Sequence, residues 1–217
     1  MDLEEAKKIV CEAGLKLVKE GLVARTWGNI SARVDSQTFV ITPSGRAYED
    51  LTPSDIVPVK IEDCSWSGTI KPSSEKGIHA GVYAFRDDIN FVIHTHQKEA
   101  SIVASARKDI PLLNSEMEKI IGKTVICGKY GLPGTKKLKA ATIDALKRSG
   151  SKAALLANHG AVCIGKDMNE AFKVATTLEK ISSLFIKTEF EKISNKKNAT
   201  TSDIHNYYLK KYAGDSK

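Results

Sequence analysis

The chain has 217 residues, 41% hydrophobic and 27% charged, enough apolar side chain for a sizeable core and ordinary for a folded globular protein. No apolar run approaches the roughly 20 residues of a membrane span, and the acidic start MDLEEAKK lacks the basic and apolar regions of a secretory signal. A net charge of +7 raises nucleic-acid binding, but the lysines are dispersed among acids, the densest basic run (192–197) is short, and no zinc-finger spacing or aromatic RNA-binding motif occurs. A cytoplasmic protein is therefore expected, with no nucleic acid and no membrane as partner, and with some attraction for small anions.

Apolar residues at three- and four-residue steps (Ala6, Ile9, Val10, Ala13, Leu17) predict an amphipathic helix over 2–20, capped by Asp2 with Glu5 three residues on and closed at Gly21. The segment Ala24–Arg33 contains the turn signal Gly28-Asn29. Strands over 30–34 and 39–42 follow, joined as a hairpin through Asp35-Ser36-Gln37, and Pro43-Ser44-Gly45 turns out of the second. Alternation around Val57, Val59 and Ile61 predicts a strand over 55–61, which Pro58 would keep at an edge or shorten. Pro72-Ser73-Ser74-Glu75 reads as a helix entry capped by serine, the helix running on through His79, Val82, Tyr83 and Phe85.

A short apolar strand over 89–94 ends in His94-Thr95-His96. A helix over 99–106, a strand over 124–127, a loop over 128–134 carrying Tyr130 and an amphipathic helix over 135–148 come next. Strands over 153–157 and 161–164 flank Asn158-His159-Gly160, and a long helix is expected over 167–191. A polar tail from about 194 holds a short helix over 202–212. No repeat or linker divides the chain, so one domain over 1–217 with a variable tail is expected. Cys11, Cys64, Cys127 and Cys163 form no C-x-x-C pair and read as free thiols.

The stretch 71–96 concentrates the chemistry. In a strand, residues i and i+2 face one side, so His94 and His96 would present both imidazoles to a single metal ion. A third histidine, His159, lies in a turn between two apolar strands; three histidines at strand ends hold zinc and leave a position open. Glu75 reads as a metal ligand, as a general base, or as a first-turn acid balancing the helix dipole. The Gly28-Asn29, Ser44-Gly45 and Ser73-Ser74 turns offer backbone N–H groups and hydroxyls to an anion, or simply turn the chain. Tyr130 is a proton donor or a packing residue.

These motifs (Gly28-Asn29-Ile30-Ser31, Thr42-Pro43-Ser44-Gly45, Lys71-Pro72-Ser73-Ser74-Glu75, His94-Thr95-His96 and Asn158-His159-Gly160) occur in the order that characterises the class II aldolase/adducin family. Over residues 3–190 the chain resembles its L-fuculose-1-phosphate aldolase-like enzymes. The resemblance implies a three-layer α/β/α fold around a largely antiparallel sheet, and a homotetramer with sites between subunits. It implies zinc (Zn2+; Mn2+ or Co2+ as alternatives) on His94, His96 and His159, with Glu75 at or near the metal. It implies substrate phosphate against Gly28, Asn29, Ser44, Gly45, Ser73 and Ser74, and a tyrosine matching Tyr130, reaching in from the adjacent chain as proton donor. The implied reaction is cleavage of a phosphorylated ketose to dihydroxyacetone phosphate and an aldehyde, zinc acting as Lewis acid and Glu75 moving the proton at the nucleophilic carbon. Pentulose-phosphate 4-epimerases of the family usually carry Asp where this chain has Glu75, which favours aldol cleavage, yet they share His-Thr-His. After Glu75 this chain reads Lys76-Gly77-Ile78 rather than the aromatic and arginine of the fuculose enzymes. An epimerase or a methylthioribulose-1-phosphate dehydratase on the same scaffold is the alternative; a metal-free binding module fits poorly with all three histidines present.

Overall fold

The structure, a computed structural model, describes residues 1–23, 26–111, 115–195 and 197–213, the last two of these by backbone alone. Ala24 and Arg25 at the head of the Ala24–Arg33 segment, Lys196 of the basic run, the Tyr212 side chain at the end of the expected last helix, and tail residues 214–217 lie outside the described residues.

Strands β1 (Asn29–Arg33), β2 (Thr38–Ile41), β3 (Val57–Lys60), β4 (Phe91–Thr95), β5 (Ile110–Pro111), β6 (Thr124–Gly128), β7 (Ala153–Leu156) and β8 (Gly160–Gly165) form one sheet in the order β3-β2-β1-β4-β8-β7-β6-β5. Every pairing is antiparallel except β6 with β7. The period-two alternation divides the apolar side chains into two cores. On one face Ile30, Ala32, Phe91, Ile93, Ala161 and Cys163 meet helices α1 (Leu3–Lys19), α3 (Lys98–Ser105), α4 (Ser115–Ile121) and α6 (Met168–Ser194). On the other, Phe39, Ile41, Val92, Val162 and Ile164 meet α2 (Lys76–Phe85) and α5 (Lys136–Ser149). Helix α7 (Thr201–Tyr208) follows α6. The result is the expected three-layer α/β/α arrangement around a mostly antiparallel sheet. Among the described residues no helix is long and apolar enough to cross a membrane.

Local chemistry explains most boundaries. Asp2 accepts from the Glu5 N–H at 3.0 Å and starts α1, and Gly21 follows its end with φ +66°. Thr135 caps α5 and Gly150 closes it in the left-handed conformation; Asp167 caps α6. Asp35 Oδ1 accepts from the Gln37 and Thr38 N–H groups at 2.7 and 2.8 Å, closing the β1–β2 hairpin. Pro58 lies on β3, an edge strand, as its missing donor requires. The four cysteines are free.

Three expectations are corrected. The strand expected over 55–61 is Val57–Lys60, because Pro53–Asp55 forms a 3-10 turn in which Asp55 is bound by Thr52. No serine caps α2: it begins at Lys76 with Glu75 in the N-cap position and no side-chain cap. Ser73 and Pro72 are instead held extended, Ser73 N–H donating to the Thr42 carbonyl and Pro72 bridging Pro43. The short elements β5 and α4 were not expected at all; too few residues carry a period there.

Candidate active site

The functional candidates converge at the end of the sheet where β1, β4 and β8 meet. His94 occupies the last turn of the pleat on β4, paired with Asn29 on β1 and Val162 on β8. It is fully buried on the α2 side of the sheet, and His96 follows just beyond the strand end. His159 stands in the β7–β8 turn, where Asn158 takes φ +58°. Two glycines permit this close approach. A Cβ on Gly28 would lie 2.7 Å from the His94 carbonyl oxygen, and one on Gly160 would run into the Thr95 carbonyl. The glycines of both motifs are thus required by backbone contact with β4.

The His94 Nε2 lies 3.0 Å from His96 Nε2 and 3.3 Å from His159 Nε2. Glu75 Oε2 is 3.1 Å from His94 Nε2, and Oε1 is 3.5 Å from His159 Nε2. His94 Nδ1 is 2.8 Å from the Ala161 carbonyl, so Nδ1–H donates there and the Nε2 lone pair faces the cluster. Among the described residues the three histidines form a group whose ligand atoms lie within 4.8 Å of one another. Burial first, and then the His94 charge, push His96 down to about 3 and His159 down to about 4. Both rings are therefore neutral at physiological pH, the form in which an imidazole binds a metal. Burial alone would raise the Glu75 carboxyl, but His94, His159 and the Asn29 hydrogen bond outweigh it and hold the group at about 2. Glu75 Oε1 is buried without a hydrogen-bond partner. An orphaned carboxylate oxygen beside three converging imidazole nitrogens is a donor set that fits a divalent cation of the zinc type.

This cluster forms one end of a cavity of about 630 Å³, bordered by Glu75, His96 and His159. Gly28, Asn29, Ser44, Gly45, Ser73 and Ser74 all border the same cavity. Their two loops are stitched together: Ser73 N–H donates to the Thr42 carbonyl at 3.1 Å and Ser44 N–H to the Lys71 carbonyl at 3.0 Å. The Ser44 and Ser74 side chains are exposed, Ser73 is buried, and its hydroxyl accepts from the Glu75 N–H at 3.2 Å. Asn29 is only 3% exposed, and its amide lies between His79 and Glu75. Tyr130, 41% exposed, borders the cavity of its own chain, where the family resemblance implies a tyrosine from the neighbour.

Sequence reading passed over several residues. Trp27 also borders the cavity, with its ring centroid 5.8 Å from that of His96. His79 is fully buried behind Asn29, where it was read only as part of a helix. The signal for it was present: Glu75, His79 and Tyr83 recur every four residues, one polar row along an otherwise apolar helix face. His205 does not join the site; it lies on α7 in a separate groove with Lys98 and Tyr208.

A family model for the class II aldolase and adducin N-terminal domain matches residues 8–186. The 5-deoxy-D-ribulose 1-phosphate aldolase of Bacillus thuringiensis serovar kurstaki is 33% identical over 190 residues, 87% of this chain and 88% of that one. The L-fuculose phosphate aldolase of Escherichia coli K12 is 30% identical over 188 residues, 87% of this chain and 86% of that one. A solved L-fuculose 1-phosphate aldolase superposes with a TM-score of 0.80 at 30% identity, covering 96% of both chains. With the family match spanning the sheet and every motif of the cavity, the chain belongs to the class II aldolase and adducin family and is an enzyme of the aldolase class.

Proposed function

We propose that the protein cleaves a 1-phosphorylated ketose to dihydroxyacetone phosphate and an aldehyde, using zinc held by His94, His96 and His159 with Glu75 beside it. The observation that carries this reading is the convergence of three imidazole Nε2 atoms and a buried carboxylate, 3.0–3.5 Å apart, beside a cavity that is also lined by the serine and glycine turns. A bound divalent metal supplies Lewis-acid stabilisation of the charge that develops on the carbonyl oxygen.

The chain's own residues do the rest. Ser44, Gly45, Ser73, Ser74, Gly28 and Asn29 bind the phosphate. They thereby hold the reacting carbons against the histidine end, so that remote binding energy is used for orientation. In the condensation direction Glu75 takes a proton from the hydroxyl-bearing carbon of dihydroxyacetone phosphate. A new C–C bond forms to the aldehyde carbon, and Tyr130 gives a proton to the aldehyde oxygen, which becomes a hydroxyl. Cleavage runs the same transfers backward. The fuculose phosphate and deoxyribulose phosphate named for the two relatives make phosphorylated deoxy-ketoses the first substrates to try. One domain, a homotetramer with sites between subunits and a cytoplasmic location complete the reading.

The test is a cleavage assay on zinc-loaded protein with L-fuculose 1-phosphate, 5-deoxyribulose 1-phosphate and ribulose phosphates. Release of dihydroxyacetone phosphate is followed, and total products are checked by mass. Release that stops with a chelator and returns with zinc supports the proposal. Metal-dependent conversion that leaves the carbon skeleton whole would replace it with epimerisation or dehydration.

A further inference from the structure

Behind the cavity a line of buried polar side chains leads from Glu75 into the layer between the sheet and α2. Glu75 Oε2 lies 3.1 Å from Asn29 Nδ2, and Asn29 Oδ1 lies 2.5 Å from His79 Nε2. His79 Nδ1 is 2.6 Å from Ser31 Oγ, which is 2.7 Å from the Tyr83 hydroxyl. Asn29 is 3% exposed, Tyr83 1%, and Ser31 and His79 are fully buried, so water does not compete for these bonds. The line is two periodicities interleaved. Glu75, His79 and Tyr83 are spaced by a helical turn, and Asn29 and Ser31 by the strand's repeat of two.

One charge sets every direction in it. A carboxylate only accepts, so Asn29 turns its Nδ2 toward Glu75 and its Oδ1 toward His79. Asn29 Oδ1 must then receive the His79 Nε2–H. In a neutral ring Nδ1 is left as an acceptor, and it takes the Ser31 hydroxyl proton; Ser31 Oγ in turn accepts from the Tyr83 hydroxyl. The bond from His79 is needed most when Glu75 has taken up a proton. A neutral carboxyl no longer compels the Asn29 amide to donate, whereas the His79 Nε2–H still holds Oδ1 and keeps Nδ2 in place.

We propose that His79 is a positioning residue for Glu75: by donating to Asn29 it fixes the amide that ties Oε2 beside His94, leaving Oε1, which has no hydrogen bond, on the His159 side free to move the proton. The inference rests on the proton-transfer role proposed for Glu75. It is tested on the zinc-loaded protein with dihydroxyacetone phosphate alone, by following exchange of its carbon-bound proton with deuterium from solvent. Affinity for zinc is measured separately, by competition with a chromophoric chelator.

Two substitutions divide the ring's duties. The amide of His79→Gln reaches the Nε2 position and keeps the donor to Asn29. His79→Asn reaches only the Nδ1 position and loses it. His79→Asn is expected to slow exchange at saturation and to weaken zinc by about 10-fold or more, the scale of an outer-sphere ligand contact. Half-saturation by dihydroxyacetone phosphate should stay within about twofold, and His79→Gln should recover exchange to within about threefold of wild type. Equal losses in both variants, or none in either, would overturn the proposal. If His79→Asn does not fold, Ser31→Ala serves. It removes the donor to Nδ1, frees the other tautomer, and should slow exchange by about 2- to 5-fold; exchange at the wild-type rate would overturn the proposal. Wild-type exchange in Glu75→Gln would instead remove the role of Glu75 itself. An inert Glu75→Gln beside a fully active His79→Asn removes only the positioning role of His79.

Discussion

Glu75 combines three features that rarely share one side chain: burial, a low proton affinity set by imidazoles, and one oxygen without a hydrogen bond. If it moves the proton, Glu75→Gln keeps the shape and removes the base. Its kcat should fall by about 100-fold or more with KM little changed, as measured by steady-state cleavage. His79 yields an expectation that needs no substrate. Burial, followed by the His94 charge, holds it at about 3 against an ordinary 6.5. Between those values the unfolded chain binds a proton that the folded chain does not. Its contribution to stability is therefore complete above about pH 6.5 and is lost as pH falls toward 3. Lowering the pH from about 7.5 to about 4.5 should cost the wild type about 2–3 kcal/mol more than it costs His79→Gln. Urea midpoints of both proteins at both pH values check the difference.

At the scale of elements, the site depends on how α2 lies across β1. Arg33 continues the strand row of Asn29 and Ser31. Its guanidinium lies 4.7 Å from the centre of the Tyr83 ring and donates to the carbonyls of Tyr83, Arg86 and Ile89 at 2.8–2.9 Å. These bonds tie the last turn of α2 and the loop that follows it, through the Tyr83, Arg86 and Ile89 carbonyls, to β1. Arg33→Met keeps most of the apolar stem and loses all three bonds. It should destabilise the protein by about 2–4 kcal/mol, read as a lower midpoint in thermal or urea unfolding. Because α2 also carries Glu75 and His79 into place, the same variant should lose zinc affinity, which a purely peripheral helix end would not transmit.

At the scale of the molecule, the cavity joins segments from distant parts of the chain: the β1 entry, the β2 exit, the turn before α2, the end of β4 and the β7–β8 turn. A metal that binds only this folded arrangement stabilises the whole by mass action, by about 3–4 kcal/mol at several hundred times its dissociation constant. Zinc should therefore raise the melting temperature of chelator-stripped protein by several degrees. His94→Ala should abolish the shift while remaining folded, as differential scanning calorimetry would show. A shift that survives in His94→Ala would place the zinc elsewhere.

Much of this was legible in the residues themselves. Period-two and period-3.6 patterns are local, so they predicted β1, β2, β4, β7, β8 and helices α1, α5 and α6 to within a few residues. Glycine, proline and a capping aspartate act within one turn, so Asp2 and Gly21 marked the ends of α1 and Pro58 marked an edge strand correctly. The pair His94-Thr95-His96 was legible because its spacing needs only a strand. What lay beyond the sequence was everything set by register across the sheet. His159 reaches His94 only because β8 pairs with β4, and Ser73 does not cap α2 because Pro72 and Ser73 are tied to Pro43 and Thr42 and the helix starts only after Glu75. The depressed proton affinities of His79, His96 and His159 come first from burial, a property that no single segment possesses. Residue types and short spacings thus determined which groups were available for chemistry. The tertiary pairing of β1, β4, β8 and α2 decided which of them meet, because only long-range strand register brings side chains more than sixty positions apart within a few ångströms.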